Sequence, residues 1–270
     1  RPTTPRGTFR ANQIVGPIKI RRLLDLLERA DPIVAVDSLH NVDELAKAAA
    51  ARGKTIGVVI EVDIGMKRAG VSPGEPVVAL ANAIAQRAGI AFRGLVGWES
   101  QAVMIEDPEQ KRRAVADAIA LLTGSADACR RAGHAVDIVS CGGTGTYCFT
   151  NRIAGVTEIQ AGGGVFGDLR YRTEFHLPLE PALRLRARVV ARPSPRRLVS
   201  DAGWRWHGVY PLAAQPLGVP EPTRMAHAAE HCTLDFATDC AHPTVGEVID
   251  FDVGYADATT FLHPALHTER

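Results

Sequence analysis

From Ala11 to Gly164 the chain alternates short β-branched runs with longer amphipathic ones, and this alternation restricts it to parallel βα architectures. Ile33-Val34-Ala35-Val36-Asp37 and Thr55 to Val62 are nearly continuous apolar runs, as expected of parallel strands buried on both faces. Further strands are predicted at Phe92 to Gly97, Ile138 to Cys141 and Glu158 to Gln160, with a short one near Phe9 to Gln13. Apolar spacing near 3.6 predicts a helix opened by Gly16-Pro17 that runs through Ile20, Leu23, Leu24 and Leu27. Others are predicted over Asp43 to Arg52, Glu75 to Arg87 and Pro108 to Arg131. The β units number six, whereas a closed (β/α)8 barrel needs eight.

After Tyr171 the pattern changes. Prolines recur at 178, 181, 193, 195, 211, 216, 220 and 222, and no long helical period follows. Leu183 to Val190, Val245 to Asp252 and Thr259 to Leu262 read as strands joined by turns. The expected division is therefore a (β/α) barrel domain over 1–171 and a β-rich domain over 172–270.

A formal net charge of +1 leaves no basic stripe for nucleic acid. No apolar run reaches the roughly 18 residues that would span a membrane. The five cysteines, Cys129, Cys141, Cys148, Cys232 and Cys240, form an odd set without framework spacing, so free thiols in a reducing cytoplasm are expected. Arg1-Pro2-Thr3-Thr4-Pro5-Arg6 has no apolar segment behind it and does not read as a signal peptide, and the chain does not begin with Met.

Two strand ends open into glycines. One is Ser140-Cys141-Gly142-Gly143-Thr144-Gly145-Thr146-Tyr147, the other Ile159-Gln160-Ala161-Gly162-Gly163-Gly164. Bare glycine backbone lets N–H groups approach a phosphate closely, and threonine hydroxyls add donors. The alternative is a pair of tight turns that need positive φ. Glu61-Val62-Asp63-Ile64-Gly65-Met66-Lys67-Arg68 and Gly97-Trp98-Glu99 also lie at strand C-terminal ends, where barrel enzymes carry reactive groups. The first can equally be a solvated charged loop, and the second a packing Trp. In the second domain, Glu230-His231-Cys232 and Tyr255-Ala256-Asp257 offer residues able to bind metal, without a strong metal spacing. Pro264 between His263 and His267 argues against a helical pair, leaving two surface histidines.

Together these motifs, with Ala11-Asn12-Gln13, Val36-Asp37-Ser38, Ala69-Gly70-Val71, Asp201-Ala202-Gly203 and Asp257-Ala258-Thr259, resemble the D-threonine aldolase and eukaryotic-type D-serine dehydratase family. The resemblance runs in order over nearly the whole chain. It implies an alanine-racemase-like fold type III barrel that binds pyridoxal 5′-phosphate, followed by a β domain. It implies that Gly142, Gly143 and Thr144 hold the cofactor phosphate together with Gly162, Gly163 and Gly164. Arg68 would lie beside the cofactor ring and Trp98 would form a wall of the pocket. His231 and Asp257 would face the substrate, with Asp257 matching one divalent-metal ligand of the aldolases. Members are mostly homodimers and act on small D-amino acids.

The departures from the family pattern carry expectations of their own. The family's Schiff-base lysine lies in an early Arg-Pro-His-x-Lys segment, which residues 1–6 do not supply. Of Lys19, Lys47, Lys54, Lys67 and Lys111, only Lys67 falls at a strand's C-terminal end, and not at the Schiff-base position. The missing lysine and the strand count both suggest a fragment lacking about two N-terminal βα units. Tyr255 stands where metal-binding relatives have His, which disfavours zinc and leaves Mg²⁺ or Mn²⁺ as the candidate ion. Gly164 replaces a family Tyr. The expected function is that of a pyridoxal-phosphate-dependent lyase on D-β-hydroxy amino acids, by retro-aldol cleavage or dehydration, inactive in this form. The alternatives are a lysine-less non-catalytic paralogue or gene remnant that binds a phosphorylated ligand, and a barrel enzyme for another phosphorylated substrate.

Overall fold

The apolar runs of the first part become parallel strands: β1 (Thr8–Gln13), β2 (Pro32–Val36), β3 (Ile56–Glu61), β4 (Ile90–Val96), β5 (Ile138–Cys141) and β6 (Glu158–Ile159). Between them lie α1 (Pro17–Leu26), α2 (Leu39–Ala50), α3 (Glu75–Ala85), α4 (Pro108–Arg131) and the short α5 (Tyr147–Thr150). The strands pair in the order of the chain, β1-β2-β3-β4-β5-β6, all parallel. Among the described residues the parallel sheet thus has six strands, the number counted from the sequence. The computed structural model describes residues 8–268 and divides into two compact units, Arg1–Ala161 and Gly162–Arg270. The sequence expectations for residues 1–6 lie outside the described residues.

Strand side chains alternate between two faces. Val34, Val36, Val58, Ile60, Leu95 and Val139 pack with Leu23, Leu24, Leu45, Ile84, Ile119 and Leu122 of the helices. Ile33, Ala35, Val59 and Val96 form a separate buried cluster. Burial of both sets is why the runs read as apolar throughout.

Helix starts follow local capping. Ser38 accepts from the Asn41 amide and starts α2 at Leu39, four residues before the predicted Asp43. Asp107 caps α4 by accepting from the Gln110 amide at 2.7 Å. In β4 the pairing with β3 shifts register between Val58 and Val59, opposite Phe92 and Gly94. There Gly94 has φ +149°, and a Cβ on it would lie 1.9 Å from the Ile138 carbonyl oxygen on β5.

The second unit holds α6 (Leu169–Thr173), β7 (Arg184–Ser194), β8 (Arg197–Ser200), β9 (Gln215–Pro216), β10 (Arg224–His227), β11 (Cys232–Asp235) and β12 (Val248–Asp252). They form an antiparallel sheet in the order β10-β11-β8-β7-β12-β9. Leu198, Leu234, Ile249, Phe251 and Cys232 form its core. Its exposed face carries cross-strand pairs such as Arg186–Asp250 and Arg197–Asp235, each within 2.9 Å. Thr259 to Leu262 is not a strand. Residues Thr260–Leu262 form a 3₁₀ turn, because the Leu262 and His263 amides bond back to the Thr259 and Thr260 carbonyls, just after the Thr259 and Thr260 amides bond to the Ala256 carbonyl. Among the described residues no helix is long and apolar enough to cross a membrane, and all five cysteines are free thiols.

Two imidazoles are packed into the second core. His207 is fully buried, and its ring meets that of His227 edge-on at 4.8 Å. His207 Nε2 faces the Ala202 carbonyl, whereas His207 Nδ1 and His227 Nε2 are buried without a partner. Burial, and then the neighbouring His207, push His227 down to about 4. His207 is also pushed down, chiefly by burial. Both folded values lie below the unfolded value of 6.5, so the unfolded chain binds more protons below that pH. Stability is therefore complete above pH 6.5 and falls as pH drops towards 4. The expected loss is about 2 kcal/mol, less than full linkage because His227 is only half-buried. Melting temperatures recorded from pH 7.5 to 4 will decline through this window, and His227→Leu will flatten the decline. An unchanged profile in that variant would rule the pair out as its source.

Candidate functional site

The C-terminal end of the parallel sheet collects the polar residues of the first unit. After β5, Gly142 takes φ +77°, a conformation open to glycine at little cost. A Cβ on Gly143 would lie 2.8 Å from Trp98 Nε1, so the indole seats on the loop only because residue 143 has no side chain. Trp98 is 40% exposed, and the Arg68 guanidinium lies 5.6 Å above its ring. The expected cofactor residues Arg68, Trp98, Gly142, Gly143 and Thr144 are thus brought together within one unit, with Thr144 buried.

Beneath the loop lies Glu99, fully buried. Its Oε2 accepts from the Gly142 amide at 3.2 Å. Its Oε1 accepts from the hydroxyls of Thr146 and Thr150, at 2.7 and 2.8 Å. The Gly143 amide donates to Thr146 Oγ1 at 3.3 Å. The amides of Gly142 and Gly143 are therefore engaged inside the loop. Gly145 is buried, and among the described residues nothing accepts from its amide. An unpaired donor on a buried residue is uncommon in folded proteins, and an acceptor from outside would satisfy it. Burial and the Glu99 charge push the adjoining Cys141 thiol up to about 12, leaving it un-ionised.

The loop after β3 is charged, but it is not loose. Asp63 Oδ1 accepts from the amides of Gly65 and Lys67, bonds that hold its carboxyl below the usual carboxylate range. Lys67 takes φ +56° to make that turn. The Asp63 and Val71 amides close the loop onto the Val71 and Glu61 carbonyls. Glu61 is raised by burial, opposed by the hydrogen bond from Gln13 and by Arg68. The remaining lysines are elsewhere. Lys19 and Lys47 lie on α1 and α2, Lys54 pairs with Glu28 at 2.9 Å, and buried Lys111 donates to the Val103 carbonyl at 2.8 Å.

In the second unit, Gly162, Gly163 and Gly164 form a 3₁₀ turn rather than an open loop. A Cβ on Gly163 would lie 2.2 Å from the Tyr171 hydroxyl, so this glycine is required by the phenol above it. Buried Asp168 accepts from the Tyr171 and Ala256 amides and ties α6 to the segment carrying Tyr255 and Asp257. Burial raises Asp168 first, and Asp257 adds to the rise. The Tyr255 hydroxyl donates to Asp257 Oδ2 at 2.9 Å, and the Arg170 guanidinium lies 4.8 Å over the Tyr255 ring. Among the described residues no group of three or more His, Cys, Asp or Glu could hold a metal ion. One exposed carboxylate bonded to a phenol is not a donor set that fits a resident Mg²⁺, Mn²⁺ or Zn²⁺.

His231 lies just before β11, in a turn where its carbonyl accepts from the Ala228 amide at 2.8 Å. The Asp201-Ala202-Gly203 motif supports that turn, since a Cβ on Gly203 would lie 2.3 Å from the Ala229 carbonyl oxygen. His263 is half-buried and faces the Trp206 carbonyl at 2.6 Å, not a free surface residue as expected, whereas His267 is exposed. In the sequence Glu99 and Asp168 carry no assigned role, and Thr146 figures only as a hydroxyl donor to phosphate, not as a partner of Glu99. What could have singled them out is their placing: a carboxylate directly after a strand-end Trp, and threonines four apart after the glycines.

The family described as "Alanine racemase, N-terminal domain" matches residues 8–170, and the "Putative serine dehydratase domain" matches residues 182–268. D-threonine aldolase of Arthrobacter sp is 31% identical over 95% of this chain and 68% of its own length. The 3-hydroxy-D-aspartate aldolase of Paracoccus denitrificans (strain Pd 1222) is 30% identical over 73% of this chain, an alignment spanning 54% of that protein. The crystal structure of D-threonine aldolase from Filomicrobium marinum superposes with a TM-score of 0.87 at 30% identity, covering 96% of this chain and 71% of that one. The chain thus spans about two thirds of the first relative and about half of the second.

Proposed function

Because this chain belongs to the D-threonine aldolase and D-serine dehydratase family of alanine-racemase-like proteins, we propose that it binds pyridoxal 5′-phosphate and acts as a lyase on D-β-hydroxy amino acids. The observation that carries this reading is the loop Gly142–Thr146, in which Gly145 is a buried residue whose amide has no acceptor among the described residues. A phosphate oxygen satisfies that donor, so the phosphate end of the cofactor fits these residues. Bound pyridoxal phosphate supplies an electron sink for the pair left at Cα when a bond there breaks.

The chain's own residues bind and orient. Gly145 and Thr144 hold the phosphate, and Arg68 on Trp98 presents a cation and a flat apolar wall to the ring. His231 belongs to the second unit, its ring makes no hydrogen bond to a described residue, and the family resemblance gives it a substrate-facing role. Retro-aldol cleavage divides a D-β-hydroxy amino acid into glycine and an aldehyde. Dehydration gives a 2-oxo acid and ammonia, the water lost being regained on hydrolysis. Relatives of both kinds are similar to this chain.

A second reading, a phosphate-binding protein without catalysis, is favoured by one observation. Four of the five lysines lie on outer helices or in internal pairs, and the fifth, Lys67, is turned into the Asp63 loop by its backbone. The purified chain should be titrated with pyridoxal phosphate by absorbance and then offered D-threonine, D-3-hydroxyaspartate and D-serine. Binding with release of glycine or a 2-oxo acid supports lyase action. Binding with no product from any of the three supports the second reading, and no binding overturns both.

A further inference from the structure

Gly142, Thr146 and Thr150 are spaced four apart and converge on the one carboxylate of Glu99. That carboxylate is fully buried, and among the described residues it has no cationic partner within ion-pair distance. A buried carboxyl group so held rests on its hydrogen bonds, and removing one leaves it short of donors. Its placement is also unexpected on electrostatic grounds, since a carboxylate behind a phosphate site repels the ligand it helps to seat. A neutral acceptor would be cheaper if only cohesion were needed.

The geometry points to Glu99 as a positioning residue for phosphate: by drawing the Gly142 amide and the Thr146 and Thr150 hydroxyls inward, it fixes the loop so that the Gly145 amide faces the ligand. The inference rests on the cofactor reading above. Thr146 carries the effect one residue further, because its hydroxyl donates to Glu99 while its oxygen accepts from the Gly143 amide. Two of the loop's amides are thereby committed, and Gly145 is left to donate outwards. Gly142 and Gly143 then shape the loop and do not themselves grip the phosphate, which differs from the role the family resemblance implied.

The experiment compares the parent chain with Glu99→Gln and with Thr150→Val, a near-isosteric change that removes a single donor to the carboxylate. Dissociation constants are measured for inorganic phosphate and for pyridoxal phosphate, beside the melting temperature without ligand. Glu99→Gln places an amide NH₂ where one of the three donors pointed, and affinity for both ligands is expected to fall about tenfold, in parallel. Thr150→Val should lower both by about threefold, in parallel, beside a fall in melting temperature from the donor withdrawn from Glu99. A parent chain that binds neither ligand overturns the cofactor reading and the inference with it. A parent that binds, with variants equal to it or weakened for pyridoxal phosphate alone, overturns the inference and leaves the cofactor reading standing. If Glu99→Gln fails to fold, Thr150→Val decides between these outcomes by the same comparison.

Discussion

Gly94→Val is expected to abolish folding of the first unit, at a cost above about 4 kcal/mol. A φ of +149° is rarely adopted by any L side chain and is closed to a β-branched one. Sterics compound this. The first side-chain atom would stand 1.9 Å from the Ile138 carbonyl oxygen and 2.8 Å from the Ile138 amide nitrogen. Those atoms are backbone, so no rotamer change relieves the overlap. The strands must part, and Gly94 is paired with Ile138 in the β4–β5 register. Separation of β5 disturbs the strand that leads directly into the Gly142 loop, so phosphate binding is lost with the fold. Trp98 is the one tryptophan of the first unit, and urea unfolding followed by its fluorescence, in a Trp204→Phe, Trp206→Phe background, reads the effect. A midpoint within a few tenths molar of the parent's would overturn the assignment.

Phe251→Ala is expected to destabilise the second unit by about 3–5 kcal/mol. Phe251 has no exposed surface and lies in β12, paired with Leu185 on β7 and Pro216 on β9. Its ring stacks on that of His207 with centroids 6.2 Å apart and planes 20° apart. Truncation removes the apolar contacts and leaves a void, because the strand backbones on either side are held by their ladders. The void also borders an imidazole whose Nδ1 lacks a partner, so water can enter and satisfy it. The variant should therefore lose less of its remaining stability between pH 6.5 and 4 than the parent does. Phe251→Leu serves as the control, with a cost near 1 kcal/mol and the parent's acid sensitivity. Equal urea midpoints for Phe251→Ala and the parent would contradict the packing argument.

Most of the parallel sheet was legible because β2 and β3 are buried on both faces, and such strands need no tertiary information to be recognised. The start of α2 was not, since Leu39-His40-Asn41 has no helical period of its own and depends on Ser38 turning its hydroxyl to the Asn41 amide. In the second unit, β7 was read as ending at Val190 because Pro193 breaks the strand pattern. The strand continues to Ser194 because its pairing with β8 slips register at that point, where a missing N–H costs no ladder bond. Short strands such as Arg224–His227 and Cys232–Asp235 carry too few residues for alternation to be seen. The strand reading of Thr259 to Leu262 followed β-branched and aromatic residues, and local hydrogen bonds to Ala256 outweighed that preference. The Gly142 loop was legible from its glycines. Glu99 was not, because its burial depends on hydroxyls 47 and 51 residues away in the chain.

In the first unit every strand lies beside its neighbour in the chain. Among the described strands none has to wait for a distant partner, so each of these βα units can dock as it leaves the ribosome onto the edge completed just before it. The Gly142 loop lies after the fifth strand of that series, and its Glu99 support is synthesised one unit earlier. The phosphate seat is thus assembled on a finished foundation, in an order written into the direction of translation.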